Sequence, residues 1–378
     1  MSPPLTGIRI LDLTRVVAGP YCTMMLGDMG AEVLKIEEPD HGDDSRGWGP
    51  YINGWSSFFL ELNRSKKSVA LDLKSAAGAG ALRRLIETAD VLIENFRPGS
   101  LAELGFDYAS ASAINPRLIY CSISGYGQTG PHAHLPGYDA VIQGEAGIMA
   151  MTGFPDGEPT RVGVAITDYL AGLYAMQGIL LALIDREKSG RGQHVDIALF
   201  DAMLSVMRLP LGVLLATGAT PTRCGNDHLS IAPYETLRAK DGYIIVAVAN
   251  PRLWIRFCDA IECADLRDDP RYRTNGDRVA HRQQLKKTLE AVFARFTVAE
   301  LIERLQAQNV PCGRVRSMRE ALEHPQVKAR DTVLVQQRPE LTVETLAPVV
   351  KLSRTPADVR LPPPALGEHT DDILKQVR

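Results

Sequence analysis

The sequence predicts an α/β fold in which helices cover both faces of a parallel sheet. Short apolar runs rich in β-branched residues alternate with longer helical stretches along the first half of the chain. Strands buried on both faces are typically continuous apolar runs, and these runs have that form. The 378 residues exceed the roughly 250 to 300 at which one core stops growing, so a second packing unit is expected.

The strand signals of this sheet are six short apolar runs. They cover residues 8–13, 31–37, 68–73, 91–94, 118–123 and 194–199. The predicted helices are one that opens at Gly19-Pro20, one over 75–89 with Ser75 as its N-cap, one over about 169–187, and one that begins near Asp201. In such folds ligands are expected at the carboxyl ends of the strands.

The apolar stretch over 169–184 is predicted to be a buried helix rather than a membrane span. It is shorter than the roughly 20 residues that cross a bilayer, and it contains Gln177 and two glycines. The chain starts with Met1-Ser-Pro-Pro and lacks the basic and apolar regions of an export signal. A cytoplasmic location is therefore expected.

The later part of the chain is predicted to form a smaller α+β domain and then return to the first domain. A hairpin signal surrounds Asp241, and two helix capping boxes pair Thr297 with Glu300 and Ser317 with Glu320. The expected boundaries are 1–208 for the N-terminal part of the large domain, 209–225 for a linker rich in Pro, Gly and Thr, 226–326 for the small domain, and 327–378 for the return segment.

Composition and charge exclude several classes of protein. The 42 Lys and Arg residues nearly balance the 45 Asp and Glu residues, so no global field draws the chain to nucleic acid or to an anionic membrane. The six cysteines form no CxxC pair, which argues against a disulfide framework and a zinc knuckle. His132 and His134 could offer two imidazoles to a metal, but no third ligand lies nearby in the sequence, and a polar surface is expected.

The loop between the first strand and the first helix is a candidate phosphate site. Residues 12–20 stand where α/β proteins bind phosphate on backbone N–H groups. The loop lacks the GxGxxG spacing of a dinucleotide fingerprint, although Glu37 or Glu38 could imitate its ribose-binding acid. A structural turn with Pro20 at the first helical position remains the alternative.

Two further segments could bind a ligand that carries phosphates and an aromatic base. The run 63–67 contains Arg64, Lys66 and Lys67, for which a solvated surface is the alternative. Residues 95–99, Asn-Phe-Arg-Pro-Gly, follow a strand at its carboxyl end, where the Pro and Gly stiffen the loop. Arginine offers fork geometry to phosphate, and Phe96 offers a stacking face.

Asp168 is the candidate catalytic carboxylate. It stands at the start of the long apolar helix, where an N-cap role would contribute about 1 kcal/mol. The alternative is a nucleophile: at an apolar helix N-terminus the carboxylate would be held ionised by the helix dipole and poorly solvated. Glycines that could admit a substrate precede it in the sequence; they are Gly144, Gly147, Gly153 and Gly163.

Motifs spread in order over nearly the whole chain resemble one family. They include residues 7–14 (GIRILDLT), 18–20 (AGP), 30–37 (GAEVLKIE), 42–46 (GDDSR), 63–66 (NRSK), 71–74 (LDLK), 94–99 (ENFRPG), 125–131 (GYGQTGP), 137–139 (GYD), 167–168 (TD), 190–193 (GRGQ) and 366–371 (LGEHTD). With these motifs the chain resembles the class III CoA-transferases, the family of formyl-CoA:oxalate and crotonobetainyl-CoA:carnitine CoA-transferases.

The resemblance implies a fold, a reaction and a set of site residues. The fold would be a Rossmann-like large domain built from both chain ends with a smaller domain, in an interlocked-ring homodimer. The enzyme would move CoA from an acyl-CoA to a free carboxylic acid through an aspartyl anhydride and an aspartyl-CoA thioester, with no metal and no tightly bound cofactor. The nucleophile falls on Asp168, and the CoA contacts fall on Val17, Ala18, Leu71, Lys74, Asn95, Phe96, Arg97 and Tyr138.

Three departures bear on the substrate. Val17 stands where the formyl-CoA enzyme has glutamine, Glu38 stands where that enzyme has a CoA-binding arginine, and no tetraglycine loop occurs near residues 225–245. These differences argue against formyl and oxalate. Residues 161–168 and 137–139 resemble the branch that acts on dicarboxylic acids such as succinate and glutarate.

Two other functions remain open at this stage. An α-methylacyl-CoA racemase would share the fold and use a His and an Asp as paired acid and base. That pattern carries His where this chain has Tyr138, which counts against it. A non-catalytic CoA-binding protein is the third alternative, against which the retained Asp168 counts.

Overall fold

The computed structural model describes residues 2–339 and 341–376. The chain divides into two compact units. Unit 1 comprises Met1–Ile148, Arg161–Ala219 and Lys328–Arg378, and unit 2 comprises Met149–Thr160 and Thr220–Val327. Both chain ends therefore lie in the same unit.

The strands follow the predicted order. They are β1 (Arg9–Asp12), β2 (Glu32–Glu37), β3 (Tyr51–Ile52), β4 (Trp55–Ser56), β5 (Lys66–Ala70), β6 (Val91–Glu94), β7 (Ile119–Ser124), β8 (His194–Ala198), β9 (Tyr234–Arg238), β10 (Tyr243–Ala247), β11 (Cys312–Arg314), β12 (Val333–Arg338) and β13 (Leu341–Leu346). Six of them form the sheet of unit 1 in the order β5-β2-β1-β6-β7-β8, and every neighbouring pair is parallel. The predicted parallel sheet is confirmed.

The helices lie between the strands along the chain, and those of unit 1 include the helices that pack on its sheet. They are α1 (Ala18–Asp28), α2 (Ser57–Leu62), α3 (Ala76–Thr88), α4 (Ser100–Glu103), α5 (Tyr108–Ile114), α6 (Asp139–Glu145), α7 (Ile148–Met151), α8 (Ile166–Ser189), α9 (Leu199–Val206), α10 (Arg208–Thr217), α11 (Pro251–Ala260), α12 (Ala264–Asp268), α13 (Asn275–Ala280), α14 (Arg282–Phe293), α15 (Val298–Ala307), α16 (Met318–Leu322), α17 (Pro325–Ala329) and α18 (Thr370–Gln376). As predicted, Ser75 caps α3: its hydroxyl accepts a hydrogen bond from the Gly78 N–H.

The two faces of the sheet bury separate apolar clusters because side chains alternate along each strand. Ile10 and Val33 face one side, where they pack with side chains of α1, α8 and α9. Their neighbours Leu11 and Leu34 face the other side, where α3 and α18 contribute. Helices therefore cover both faces, as the continuous apolar runs predict.

Helix α8 is the longest helix of the sheet unit. Among the described residues it has the length and apolar composition of a membrane span, and α9 with α10 meet the same criteria only when counted as one bent pair. Ala171, Ala175 and Ile179 are fully buried in the apolar cluster beside the sheet. Only 33% of the apolar window of α8 is buried, so the prediction of a buried helix holds for the side that packs on the sheet and not for the whole helix.

The segment 209–225 is not a linker throughout, so that prediction is wrong in part. Its first residues belong to α10, which ends where Gly218 adopts φ +72°. Pro210 lies in the first turn, where its missing N–H removes no intrahelical hydrogen bond. The Pro and Gly that suggested a linker are thus compatible with a helix.

Unit 2 contains an antiparallel sheet and several short helices. The sheet order is β11-β10-β9, and the predicted hairpin around Asp241 pairs Tyr243 with Arg238. Both predicted capping boxes are present, at Thr297 and at Ser317. The segment after unit 2 forms the β12–β13 hairpin and ends in α18.

Residues 63–66 of the basic run are buried, and Lys67 is partly exposed and pairs with Glu32, which corrects both interpretations of Arg64 and Lys66. The Arg64 guanidinium pairs with the Asp28 carboxylate, with 2.8 Å between Nη2 and Oδ2. The Lys66 ammonium lies 3.1 Å from Asp12 Oδ2, and both side chains are inaccessible to solvent. Because their charges are satisfied inside the unit, Arg64 and Lys66 are not available for a ligand.

Candidate active site

A cavity of about 250 Å³ opens at the carboxyl ends of β1, β6 and β7. Its walls come from the loops that follow these strands and from the starts of α1 and α8, all within unit 1. The residues from the predicted site that line it are Val17, Ala18, Asn95, Phe96, Arg97, Tyr138 and Asp168. The topology thus places Asp168 of α8 in the same cavity as the loops that follow β1 and β6, which are distant from it in sequence.

Two of the predicted CoA contacts lie outside this cavity. Leu71 is buried in the apolar cluster on the far face of the sheet. Lys74 is exposed just before α3. Their roles as CoA contacts stay predictions, and they would concern a part of the ligand that extends beyond the cavity.

Asp168 is the third residue of α8 and does not cap the helix, so the N-cap interpretation is wrong. Ala165 occupies the cap position without a side-chain hydrogen bond. The capping acceptor is Asp139: its Oδ1 accepts hydrogen bonds from the Thr167 N–H at 2.9 Å and from the Thr167 hydroxyl at 2.8 Å. Asp139 Oδ2 also accepts from Gln143 Nε2 at 2.8 Å. Asp139 therefore anchors the helix end that carries Asp168.

Burial, together with the smaller effect of the neighbouring Asp139 charge, raises the pKa of the Asp168 carboxyl to about 7. Loss of hydration and the second carboxylate both oppose the ionised form, which the helix dipole was expected to favour. At neutral pH both protonation states are populated, and the ionised form is a weakly solvated carboxylate.

Two glycines from different loops come into close contact at the cavity wall. A Cβ built on Gly125 would lie 2.6 Å from the Gly137 Cα, and a Cβ on Gly137 would lie 2.3 Å from the Gly125 Cα. Both positions line the cavity, whereas Gly144, Gly147 and Gly163 do not line it in the described chain. The glycines in close contact, Gly125 and Gly137, belong to the GYG and GYD motifs. Their proximity could not be predicted from the sequence.

Arginine and aromatic side chains also line the cavity. The Arg15 guanidinium carbon lies 5.2 Å from the centre of the Phe96 ring. Arg97 Nε donates a hydrogen bond to the His134 carbonyl at 3.0 Å. The wall thus combines two cations with one aromatic face, an arrangement suited to a ligand with both phosphate and ring. The sequence analysis did not single out Arg15 as a site residue. Its position after the strand β1, comparable to that of Asn95 after β6, is the signal that could have found it.

The comparisons with known proteins agree with this geometry. The family model described as CoA-transferase family III matches residues 5–370. The chain belongs to CoA-transferase family III. The succinate–glutarate CoA-transferase of Agrobacterium fabrum is 41% identical over 389 residues, which cover 100% of this chain and 96% of that protein.

Other relatives support the same assignment. The acetyl-CoA:oxalate CoA-transferase of Acetobacter aceti is 42% identical over 88% of this chain and 85% of that protein. The crystal structure of a CAIB/BAIF family protein from Brucella suis superposes with a TM-score of 0.90 at 40% identity, and covers 100% of both chains. As a family III CoA-transferase, the protein moves CoA from an acyl-CoA to a free carboxylic acid, as predicted.

Proposed function

We propose that Asp168 is the nucleophile of CoA transfer. One oxygen of its carboxylate attacks the thioester carbonyl carbon, the C–S bond breaks, and CoA leaves as a thiolate, which yields an aspartyl–acyl anhydride. The thiolate then attacks the aspartyl carbonyl carbon and releases the donor acid, which leaves an aspartyl-CoA thioester. The acceptor carboxylate attacks this thioester and releases CoA thiolate again. The thiolate finally attacks the acceptor acyl carbon, which forms the new acyl-CoA and regenerates Asp168.

The position of Asp168, half-buried at the cavity wall, supports this role. Its pKa is raised by burial and by Asp139, without a hydrogen-bond donor to the carboxylate among the described residues. A carboxylate that is partly withdrawn from water and accepts no hydrogen bond is a stronger nucleophile than a fully solvated one. Shelter from water would also protect the anhydride and the thioester from hydrolysis.

The CoA moiety is proposed to lie along the loops after β1 and β6. Val17 and Ala18 would contact it from the start of α1, Phe96 would pack against an apolar or aromatic portion, and Arg97 would face a phosphate. Asn95 and Tyr138 complete this wall of the cavity. Lys74 and Leu71 would meet the part of CoA that extends beyond the cavity.

The acids are proposed to be dicarboxylates of the succinate and glutarate size. Arg15 and Arg97 place two guanidinium groups at the cavity wall, where one can pair with the carboxylate that does not react. The name of the Agrobacterium relative contains both succinate and glutarate. The name of the Acetobacter relative contains oxalate, so oxalate belongs in the test although Val17 argues against it.

The test is a panel of donors and acceptors with mass-spectrometric detection of the CoA products. Purified enzyme with succinyl-CoA and labelled glutarate should form labelled glutaryl-CoA, and the reverse pair should form succinyl-CoA. Acetyl-CoA with oxalate, and a 2-methylacyl-CoA in deuterated water without acceptor, serve as the comparison arms. Faster transfer to oxalate than to glutarate would contradict the assignment to dicarboxylates of succinate and glutarate size, and deuterium at the α-carbon would favour the racemase.

We also propose that the protein is a homodimer. Apolar side chains of α8 and α10 are exposed in unit 1, including Leu181 at 59%, Leu209 at 73% and Leu215 at 77%. Large apolar side chains that are exposed on two helices of one unit are candidates for a surface that a partner covers.

The oligomeric state can be measured by light scattering after size exclusion. The mass should be twice 41.3 kDa. A charged residue on this surface opposes association, so Leu209→Glu with Leu215→Glu should shift the mass to the monomer. Lys188→Glu, at the exposed end of α8, is the control and should stay dimeric. A monomeric natural protein at micromolar concentration would contradict the proposal.

A further inference from the structure

Val16 adopts a backbone conformation that β-branched residues avoid. Its φ is +71°, in the left-handed region where Cβ approaches the following carbonyl. It directly precedes Val17 and Ala18 and itself lines the cavity. A conformation of this kind persists only where the surroundings enforce it.

Three side chains hold three successive residues of this loop. The Val16 N–H donates a hydrogen bond to Asp43 Oδ1 at 3.1 Å. The Arg15 N–H donates to Asn95 Oδ1 at 2.9 Å, and Asn95 Nδ2 donates to the Arg15 carbonyl at 2.8 Å. Lys35 Nζ donates to the Thr14 carbonyl at 2.8 Å. The loop is thus fixed on its backbone from three separate segments.

Two of these three side chains, Lys35 and Asp43, form a buried ion pair with each other. Lys35 Nζ and Asp43 Oδ2 lie 2.8 Å apart, and both side chains are inaccessible to solvent. Asp43 Oδ1 also accepts from the Ser45 N–H and hydroxyl. Burial alone would raise the pKa of Asp43, but Lys35 overcomes this and lowers it to about 2. Asp43 is therefore a fixed, ionised acceptor for the Val16 N–H.

We propose that Lys35 and Asp43 are positioning residues that hold Val16 in the left-handed conformation and thereby aim Val17 and Ala18 at the CoA thioester. This inference rests on the proposed CoA site. Without the hydrogen bond to Asp43, Val16 returns to negative φ, and the backbone that follows turns away from the cavity. Neither Lys35 nor Asp43 touches the ligand in this arrangement.

The test compares variants in which residue 16 is restricted to negative φ with variants in which it adopts positive φ freely. Val16→Pro fixes φ near −65° and removes the N–H, so it should raise KM for the acyl-CoA at least tenfold without touching the buried pair. Asp43→Asn should raise the same KM at least tenfold. Glycine adopts positive φ without steric cost. The double variant Val16→Gly, Asp43→Asn should therefore lower KM at least fivefold from that of Asp43→Asn.

Asp90→Asn is the control for a loss of stability alone. Asp90 pairs with Arg186, with 2.8 Å between Oδ1 and Nη2, in the same unit but away from the cavity. This variant should lower Tm and leave KM within twofold. An unchanged KM in Val16→Pro, or no recovery of KM by Val16→Gly in the Asp43→Asn background, would overturn the positioning role.

Direct binding of CoA by calorimetry separates this inference from the proposed site. If Phe96→Ala and Arg97→Gln weaken CoA binding at least tenfold while Val16→Pro does not, only the positioning role fails. If none of these variants changes the affinity for CoA, the proposed CoA site itself fails. If Asp168→Asn retains transfer while the loop variants lose affinity, the nucleophile is wrong and the positioning role stands.

Discussion

Asp168→Asn is expected to lose CoA transfer by a factor on the order of 10⁴ or more, because the amide can form neither the anhydride nor the aspartyl thioester. The affinity for CoA should stay within about threefold, since the substitution is isosteric and removes no contact that the CoA site requires. Steady-state exchange of labelled acid into acyl-CoA measures the first quantity, and calorimetric titration with CoA measures the second.

The control for this prediction is Asp185→Asn, an exposed aspartate at the other end of α8. It removes the same charge from the same helix and should leave transfer unchanged. Peptide mapping of the natural enzyme, quenched during turnover and treated with hydroxylamine, should place the modification on Asp168. A modification on a different carboxylate would show that Asp168 is not the nucleophile.

The second expected result is that Asp168→Asn stabilises the folded protein above neutral pH. The pKa of Asp168 is about 7 in the folded protein, whereas an unperturbed aspartate, as in the unfolded chain, has a pKa of 3.8. Below both values the group is protonated in both states and has no effect. Between them the unfolded chain ionises while the folded chain holds its proton, so stability falls as pH rises. Above pH 7 the fall in the free energy of unfolding is complete. It is at most about 4 kcal/mol, because the folded and unfolded pKa values differ by about 3.

Urea unfolding of both proteins at several pH values checks this. The stability gained by Asp168→Asn should be near zero at pH 4, grow towards pH 7 and stay constant at higher pH. A gain that is the same at every pH would come from packing and would contradict the titration. In the natural enzyme the same titration predicts that kcat/KM falls with decreasing pH below about 7, because the nucleophile is then protonated.

The sheet and its core helix could be predicted because their signals are local. The apolar runs that become β1, β2 and β6 need only burial on two faces, and Ser75 caps its helix with groups three residues away. The burial of Lys66 could not be predicted in this way, because a strand that begins with two lysines is expected to be exposed to solvent. Its burial depends on Asp12, which is 54 residues away in the sequence and 3.1 Å away in the fold.

The candidate site likewise has features that the local sequence predicts and features that depend on the fold. Asp168 stood out as a lone carboxylate in an apolar helix, and the motif over 95–99 stood out through its Pro and Gly. Their common cavity needed the parallel sheet to place the ends of β1, β6 and β7 together. The role of Asp139 as the cap of α8 could not be read from the sequence, because capping residues are expected beside the helix they cap and this one lies 28 residues earlier.

The sequence by itself determined the order of strands and helices, the family and the residue types available for catalysis, since these follow from local pattern and from motifs along the chain. Only the tertiary structure decided which charges are buried, that Asp168 has a pKa near neutrality, and that Val16 is held at positive φ. These properties depend on solvent exclusion and on distances between groups far apart in the chain. Solvent exclusion and these distances are set only when the sheet and its helices have packed together.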